Sequence, residues 1–310
     1  MQASIPGGVW PTMITPFTES GAVDFPAVEK LVNWYIGQGC SGIFAVCQSS
    51  EMFYLSLKEK IDIATCVRDI AAGRVAVVAS GHTSDSVEEQ KAEIAAMAKL
   101  GLDAVVLVSN RLAKQDEPDS VFTNNLLALR REFPEVHFGL YECPYPYKRL
   151  VTLDFLRLCA SGVGVGFIKD TCCDPAVEKE RIDIVRGSDV CLFNANTATL
   201  LSSLRNGYKG YNGIMANYHP DLYVWLYDNY RDAPEEADAL SNLLTIMAMS
   251  EARCYPVTAK YHFNKTGIPM ALASRSSDPA DFNTNDRLGI DAMIGVENEA
   301  RKRLSVPAGR

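Results

Sequence analysis

Eight short apolar runs, each followed by a stretch whose apolar residues recur at helical spacing, limit the architectures open to this chain. The strand-like runs cover residues 9–17, 41–47, 75–79, 104–108, 137–141, 163–170, 190–193 and 210–215. The helical stretches cover 25–38, 57–72, 84–100, 119–132, 152–161, 175–186 and 198–206, with the last starting near Pro220. Strands that alternate with helices make parallel βαβ units. Eight such units close into a (β/α)8 TIM barrel, whose catalytic residues sit at the C-terminal ends of the strands. A doubly wound open sheet is the competing architecture, but no Gly-x-Gly-x-x-Gly follows the first strand. The division expected is a barrel over residues 1–235 and C-terminal helices over 236–310 packed on it, with a short polar loop from Ser274 to Asn285.

Composition narrows the function. The formal net charge of −8 leaves no basic stripe for nucleic acid. No apolar run approaches the roughly 18 residues of a membrane span. Met1 to Pro6 lacks the basic and apolar regions of a signal peptide, so a cytoplasmic enzyme with no membrane partner is expected. The nine cysteines are odd in number and scattered, and they read as reduced, mostly buried fillers. Cys172-Cys173 is the one cluster, and adjacent cysteines are a poor metal-ligand spacing. A metal-dependent aldolase would need His, Asp and Glu side chains gathered at strand ends, and the four histidines do not cluster in the sequence.

The sixth run, Val163-Gly164-Val165-Gly166-Phe167-Ile168-Lys169-Asp170, ends on a lysine with an apolar stem behind it. Desolvation lowers the pKa of such an amine and makes it a nucleophile toward a carbonyl. A strand-end lysine that snorkels to water is the plainer alternative. In a barrel, Lys169 would share one cavity with Cys47-Gln48-Ser49-Ser50-Glu51, Tyr141 and Asn212-Gly213. An amine there can hold a 2-oxo acid as a Schiff base, whose iminium is an electron sink for the adjacent C–C bond. That chemistry needs a proton shuttle, which a neighbouring tyrosine can supply. It also needs donors for the carboxylate, which the loop around Gln48 and Ser49 can offer.

These residues resemble a known family, the pyruvate-dependent class I aldolases that include dihydrodipicolinate synthase and N-acetylneuraminate lyase. The likeness extends from about Gly8 to about Leu304. Gly166-Phe167-Ile168-Lys169-Asp170 is similar to the family's Gly-x-x-Lys strand, which implies Lys169 as the Schiff-base lysine. Tyr141-Glu142-Cys143-Pro144 resembles its Tyr-x-x-Pro motif, which implies Tyr141 as the proton shuttle. Gly210 to Asn217 and Gly8 to Phe17 also match. The resemblance implies no cofactor, a 2-oxo acid such as pyruvate as substrate, and a homotetramer built as a dimer of dimers.

The chain is a divergent member by this reading. Where the family has Gly-Ser/Thr-Thr-Gly-Glu after its second strand, this chain has Cys47-Gln48-Ser49-Ser50-Glu51. Gln48 offers an amide that hydrogen-bonds but cannot pass protons as a hydroxyl does. The synthase's arginine after Tyr-x-x-Pro corresponds to Pro146, and its strand-four tyrosine pair to Ser109-Asn110-Arg111-Leu112. The expected function is therefore a Schiff-base lyase, an aldolase or dehydratase of a deoxy sugar acid or substituted pyruvate. Lys169 and Tyr141 are its catalytic residues, and Gln48, Ser49 and Asn212 bind substrate. Dihydrodipicolinate synthase activity is the alternative, and a non-catalytic 2-oxo-acid sensor is the alternative from another class. Tyr145 and Tyr147 are candidates for an aromatic or sugar face. Arg111 reads as a solvated loop residue, His82 as structural and Cys172-Cys173 as buried filler. Glu51 reads as ordering its loop, and His219 and His262 carry no assigned role.

Overall fold

The computed structural model describes residues 5–306. Its eight strands are β1 (Gly8–Val9), β2 (Gly42–Val46), β3 (Ala76–Ala79), β4 (Ala104–Val108), β5 (Phe138–Tyr141), β6 (Val165–Asp170), β7 (Cys191–Asn194) and β8 (Gly210–Tyr211). All neighbours pair in parallel, in the order β1-β8-β7-β6-β5-β4-β3-β2. The amides of Ser41 and Phe44 donate to the carbonyls of Val9 and Pro11 (both 3.0 Å), and Met13 N–H donates to Phe44 (3.1 Å). These bonds close the sheet into a (β/α)8 barrel.

Each strand is followed by a helix: α1 (Phe25–Gly37), α2 (Leu57–Ala71), α3 (Val87–Ala98), α4 (Asp119–Glu132), α5 (Leu153–Ala160), α6 (Pro175–Val185), α7 (Thr197–Asn206) and α8 (Pro220–Asn229). Their starts follow from local chemistry. Asp24 accepts from the Ala27 amide ahead of α1, and Ser56 forms a capping box with Glu59 ahead of α2. Three helices complete the chain: α9 (Pro234–Ala248), α10 (Val257–Lys265) and α11 (Thr284–Leu304).

Two strands are much shorter than their apolar runs. The first run is a continuous strand only over Gly8–Val9, with an isolated parallel bridge from Thr12 to Phe44 beyond it, because Pro11 and Pro16 have no N–H to donate. The eighth stops at Tyr211. There the Asn212 side chain bonds across to the Trp10 carbonyl (2.7 Å), and Ile214–Asn217 turns into a 3-10 helix. The β1/β8 seam is tight enough to require glycine, since a Cβ on Gly210 would lie 1.8 Å from the Gly8 carbonyl oxygen.

Strand alternation sorts the side chains of β6. Phe167 points into the barrel, where it meets Trp10, Phe44 and Phe193 with ring centroids 5.5, 6.1 and 5.0 Å away. Lys169, two residues on, shares that inward face. Asp170 points outward to Arg181 of α6 (2.8 Å), which also holds Glu142 (2.8 Å). One buried guanidinium thus ties together the residues that follow Tyr141 and Lys169.

The tail is anchored by a second buried polar group. Glu297 of α11 accepts from His219 (2.9 Å) just before α8 and from His262 (3.0 Å) of α10. Arg301 reaches Asp221 of α8 (2.6 Å).

Candidate active site

A cavity of about 420 Å³ opens at the C-terminal ends of the strands. Lys169, Tyr141, Gln48 and Ser49 all line it. The parallel register sets Tyr141 of β5 beside Lys169 of β6. The lysine Nζ lies 4.6 Å from the Tyr141 ring centroid and 5.9 Å from that of Phe44. Lys169 is only 4% exposed, so the snorkelling alternative does not describe it. Burial pushes its amine down to about 8, against the opposing influence of Cys47, Cys143 and Glu251. An amine poised there is a competent nucleophile near neutral pH.

Tyr141 donates its hydroxyl proton to Gln48 Oε1 (3.2 Å), which also accepts from the Cys143 thiol (3.4 Å). Burial raises the phenol well above its ordinary value. Ser49 donates to Thr12 (3.1 Å). The loop closes without the glycines of the related motif. Ser50 Oγ bonds both the amide and the carbonyl of Cys47 (2.5 and 2.7 Å), and Glu51 takes the left-handed conformation at φ 61°.

Asn212 does not reach the cavity. Its side chain is fully buried, with its amide nitrogen donating to the Trp10 carbonyl and its Oδ1 unpartnered among the described residues, and Gly213 and Ile214 line the wall instead. The substrate-orienting role expected of it has no geometric basis here, because the strand that was to carry it ends one residue earlier. Glu51 orders its surroundings. Its carboxylate accepts from the amides of Arg275 and Ser276 (2.6 and 2.7 Å) and from Ser274 Oγ (2.9 Å), with Lys260 3.5 Å away.

Tyr145 lines the cavity beside Phe53, their ring centroids 5.1 Å apart. Tyr147 turns away and donates to the Asn110 carbonyl (2.9 Å). Arg111 is paired with Asp85 and lies 5.3 Å from the Phe53 ring centroid, outside the lining. His82 is buried, accepting from Val108 N–H and bonded to Gln90 (both 3.0 Å), and burial pushes its pKa down to about 4. Cys172 is half-buried and Cys173 exposed, which corrects the filler reading of that pair. The Cys172 amide donates to Asp170 (2.7 Å), turning the chain outward directly after β6. Among the described residues no three His, Cys, Asp or Glu side chains are grouped to hold a metal ion.

The dihydrodipicolinate synthetase family model matches residues 5–277. The chain belongs to that family. As a member of the dihydrodipicolinate synthetase family it is a lyase. Among curated proteins it is 29% identical over 269 residues to the 4-hydroxy-tetrahydrodipicolinate synthase of Parvibaculum lavamentivorans, covering 84% of this chain and 88% of that one. A dihydrodipicolinate synthase structure from Bacillus anthracis superposes with a TM-score of 0.85 at 20% identity, covering 94% of this chain and 99% of that one. The sialic acid aldolase of Ruminococcus gnavus gives a TM-score of 0.85 at 15% identity, with 96% and 97% covered. At those identities the two structures speak for the barrel and its C-terminal helices alone.

This family member builds part of its site from residues that local pattern did not single out. Glu251, Tyr255, Pro256, Ser276 and Ser277 all come from the C-terminal helical region and wall the cavity. Only the polar run around Ser274 hinted at them, and nothing in its composition says that it folds back over a strand end.

Proposed function

We propose that the chain is a Schiff-base lyase that binds pyruvate or a related 2-oxo acid on Lys169 and makes or breaks the adjacent C–C or C–O bond. The observation that carries this reading is the buried Lys169 amine, with its pKa down at about 8, on the wall of a cavity shared with Tyr141. In this reading Tyr141 serves the amine as its hydrogen-bonding and proton-carrying neighbour. Gln48 and Ser49 hold the 2-oxo acid's carboxylate. The second reactant is an aldehyde with no carboxylate of its own, from a deoxy sugar acid or a substituted pyruvate. Two features support that choice. Lys169 is the only cationic side chain among the described lining residues, and Phe53, Tyr54 and Tyr145 add flat aromatic surface.

The names of the relatives favour dihydrodipicolinate synthase activity as a second reading. Pro146 in place of the synthase arginine, and the lack of a second cation in the lining, weigh against it. A non-catalytic 2-oxo-acid sensor draws support from Gln48, whose amide oxygen accepts a hydrogen bond from Tyr141 where a hydroxyl would relay protons. We further propose a cytoplasmic homotetramer arranged as a dimer of dimers, on the strength of family membership.

Mass spectrometry after borohydride reduction with pyruvate tests the central claim. A pyruvate adduct on the Lys169 peptide, absent in Lys169→Ala, is the expected result. No adduct with pyruvate or other 2-oxo acids overturns it. An adduct without turnover of any aldehyde or sugar acid favours the sensor.

A further inference from the structure

Glu251 sits in the turn between α9 and α10 and lines the same cavity as Lys169. Its carboxyl has no hydrogen-bond or ion-pair partner among the described residues, and its oxygens are not sealed away from solvent. They therefore open into the cavity. Glu51, the other carboxylate of the lining, is fully engaged by the 274–276 backbone and hydroxyls. Natural structures seldom leave a half-buried acid without partners inside a cleft unless the cleft's occupant completes it.

The neighbouring groups point to what that occupant is. Ser277, also in the lining, donates its hydroxyl proton to the Tyr255 carbonyl (2.8 Å), which leaves its oxygen as an acceptor. Past Ser276 and Ser277 the cavity runs on into a depression where Asp278, Asp281 and Asp286 face one arginine, Arg253, among the described lining residues. An anionic group meets like charge along that side. Phe53 and the exposed Tyr145, their ring centroids 5.1 Å apart, offer flat faces on which the C–H bonds of a sugar chain can pack. A three-carbon acid on Lys169 fills only part of the 420 Å³, so a second reactant occupies the remainder and meets these groups.

We propose that Glu251 selects the second reactant, accepting hydrogen bonds from the hydroxyls of an uncharged polyhydroxy aldehyde and repelling aldehydes that carry a carboxylate or phosphate. The inference rests on the Schiff-base reading of Lys169, leaves proton transfer with Tyr141, and adds to that reading the residue that chooses the aldehyde. Attraction and exclusion come from the same group. A hydroxylated chain satisfies the carboxylate, whereas a chain without hydroxyls buries it unpaired, which costs more than the lost bond alone. A carboxylate on the incoming aldehyde adds like-charge repulsion inside a confined space.

Three four-carbon aldehydes test the proposal in condensation with pyruvate: erythrose with hydroxyls, butanal without them, and succinic semialdehyde with a terminal carboxylate. The assays run at pH 8.5, above the value of about 7 to which burial pushes the Glu251 carboxyl. Borohydride trapping of pyruvate on Lys169 is measured in the same samples. The wild type should favour erythrose over each of the others by about 30-fold or more in kcat/KM. Glu251→Gln keeps a polar side chain without the charge, and it should raise succinic semialdehyde relative to erythrose about tenfold. Glu251→Asp keeps the charge and should keep the carboxylate excluded. Glu251→Ala should cut the preference for erythrose over butanal about tenfold. Each readout is a ratio within one protein, so a general loss of activity does not imitate it. Equal use of erythrose and succinic semialdehyde by the wild type, or an unchanged ratio in Glu251→Gln, overturns the proposal. So does trapping of pyruvate with no turnover of erythrose. Failure of the wild type to trap pyruvate would instead sink the Schiff-base reading, and this inference with it.

Discussion

Lys169 occupies the inward face of β6 because Phe167, two residues earlier, fills the barrel beneath it. That position costs stability whenever the amine is charged. Its folded pKa of about 8 lies below the ordinary lysine value of 10.5, so the cost is present in full below pH 8 and disappears as pH rises toward 10.5. Lys169→Met should therefore raise the denaturant stability at pH 7 by about 3 kcal/mol at most, with the gain shrinking toward pH 10.5. The same titration governs reactivity. The rate of pyruvate imine formation should climb about tenfold per pH unit below 8 and level off above it, as rapid-quench borohydride trapping would record. Lys169 and Tyr141 were legible in the sequence because a strand's alternation and parallel register carry straight through to the cavity. Asn212 was misleading for the converse reason. A two-residue strand cannot extend its pattern to the next side chain, and that side chain was needed to join β8 to Trp10.

At the scale of elements, the ends of β5 and β6 are held in register by Arg181, which reaches across from α6 to Glu142 and Asp170. Arg181→Met leaves two carboxyls facing each other without a countercharge in a buried site. It should cost about 3–5 kcal/mol in urea unfolding and weaken pyruvate trapping, because Tyr141 and Lys169 lose their common tether. Glu51 plays the matching part for the 274–277 loop. Glu51→Ala removes the acceptor for two amides and a hydroxyl, and it should raise KM for the 2-oxo acid severalfold while leaving the Lys169 adduct detectable by mass spectrometry. Seven of the barrel helices and six of the strands lie within a few residues of where periodicity put them. The long-range ties were not visible, since neither Arg181 nor Glu51 carries a local signal of which distant backbone it will hold.

The whole molecule depends on how its C-terminal helices close against the barrel. Glu297 is the buried centre of that junction. Burial alone would raise its carboxyl, but His262 and His219 outweigh burial and hold it well below the usual carboxylate range. A carboxylate so depressed contributes stability above the ordinary glutamate pKa, and the contribution is lost as pH falls. Glu297→Gln should accordingly lower the thermal midpoint markedly at pH 7, with a smaller difference from wild type at pH 3 by calorimetry.

The same junction delivers Glu251, Tyr255, Ser276 and Ser277 to the cavity. Under the proposed Schiff-base reading, capture of the 2-oxo acid and choice of its partner fall to different parts of the gene. The amine, its tyrosine and the Gln48 loop belong to the strand ends, whereas one contiguous later stretch shapes much of the opposite wall. A lineage could exchange or rewrite that stretch and reshape the wall of the cavity without disturbing the amine and its tyrosine.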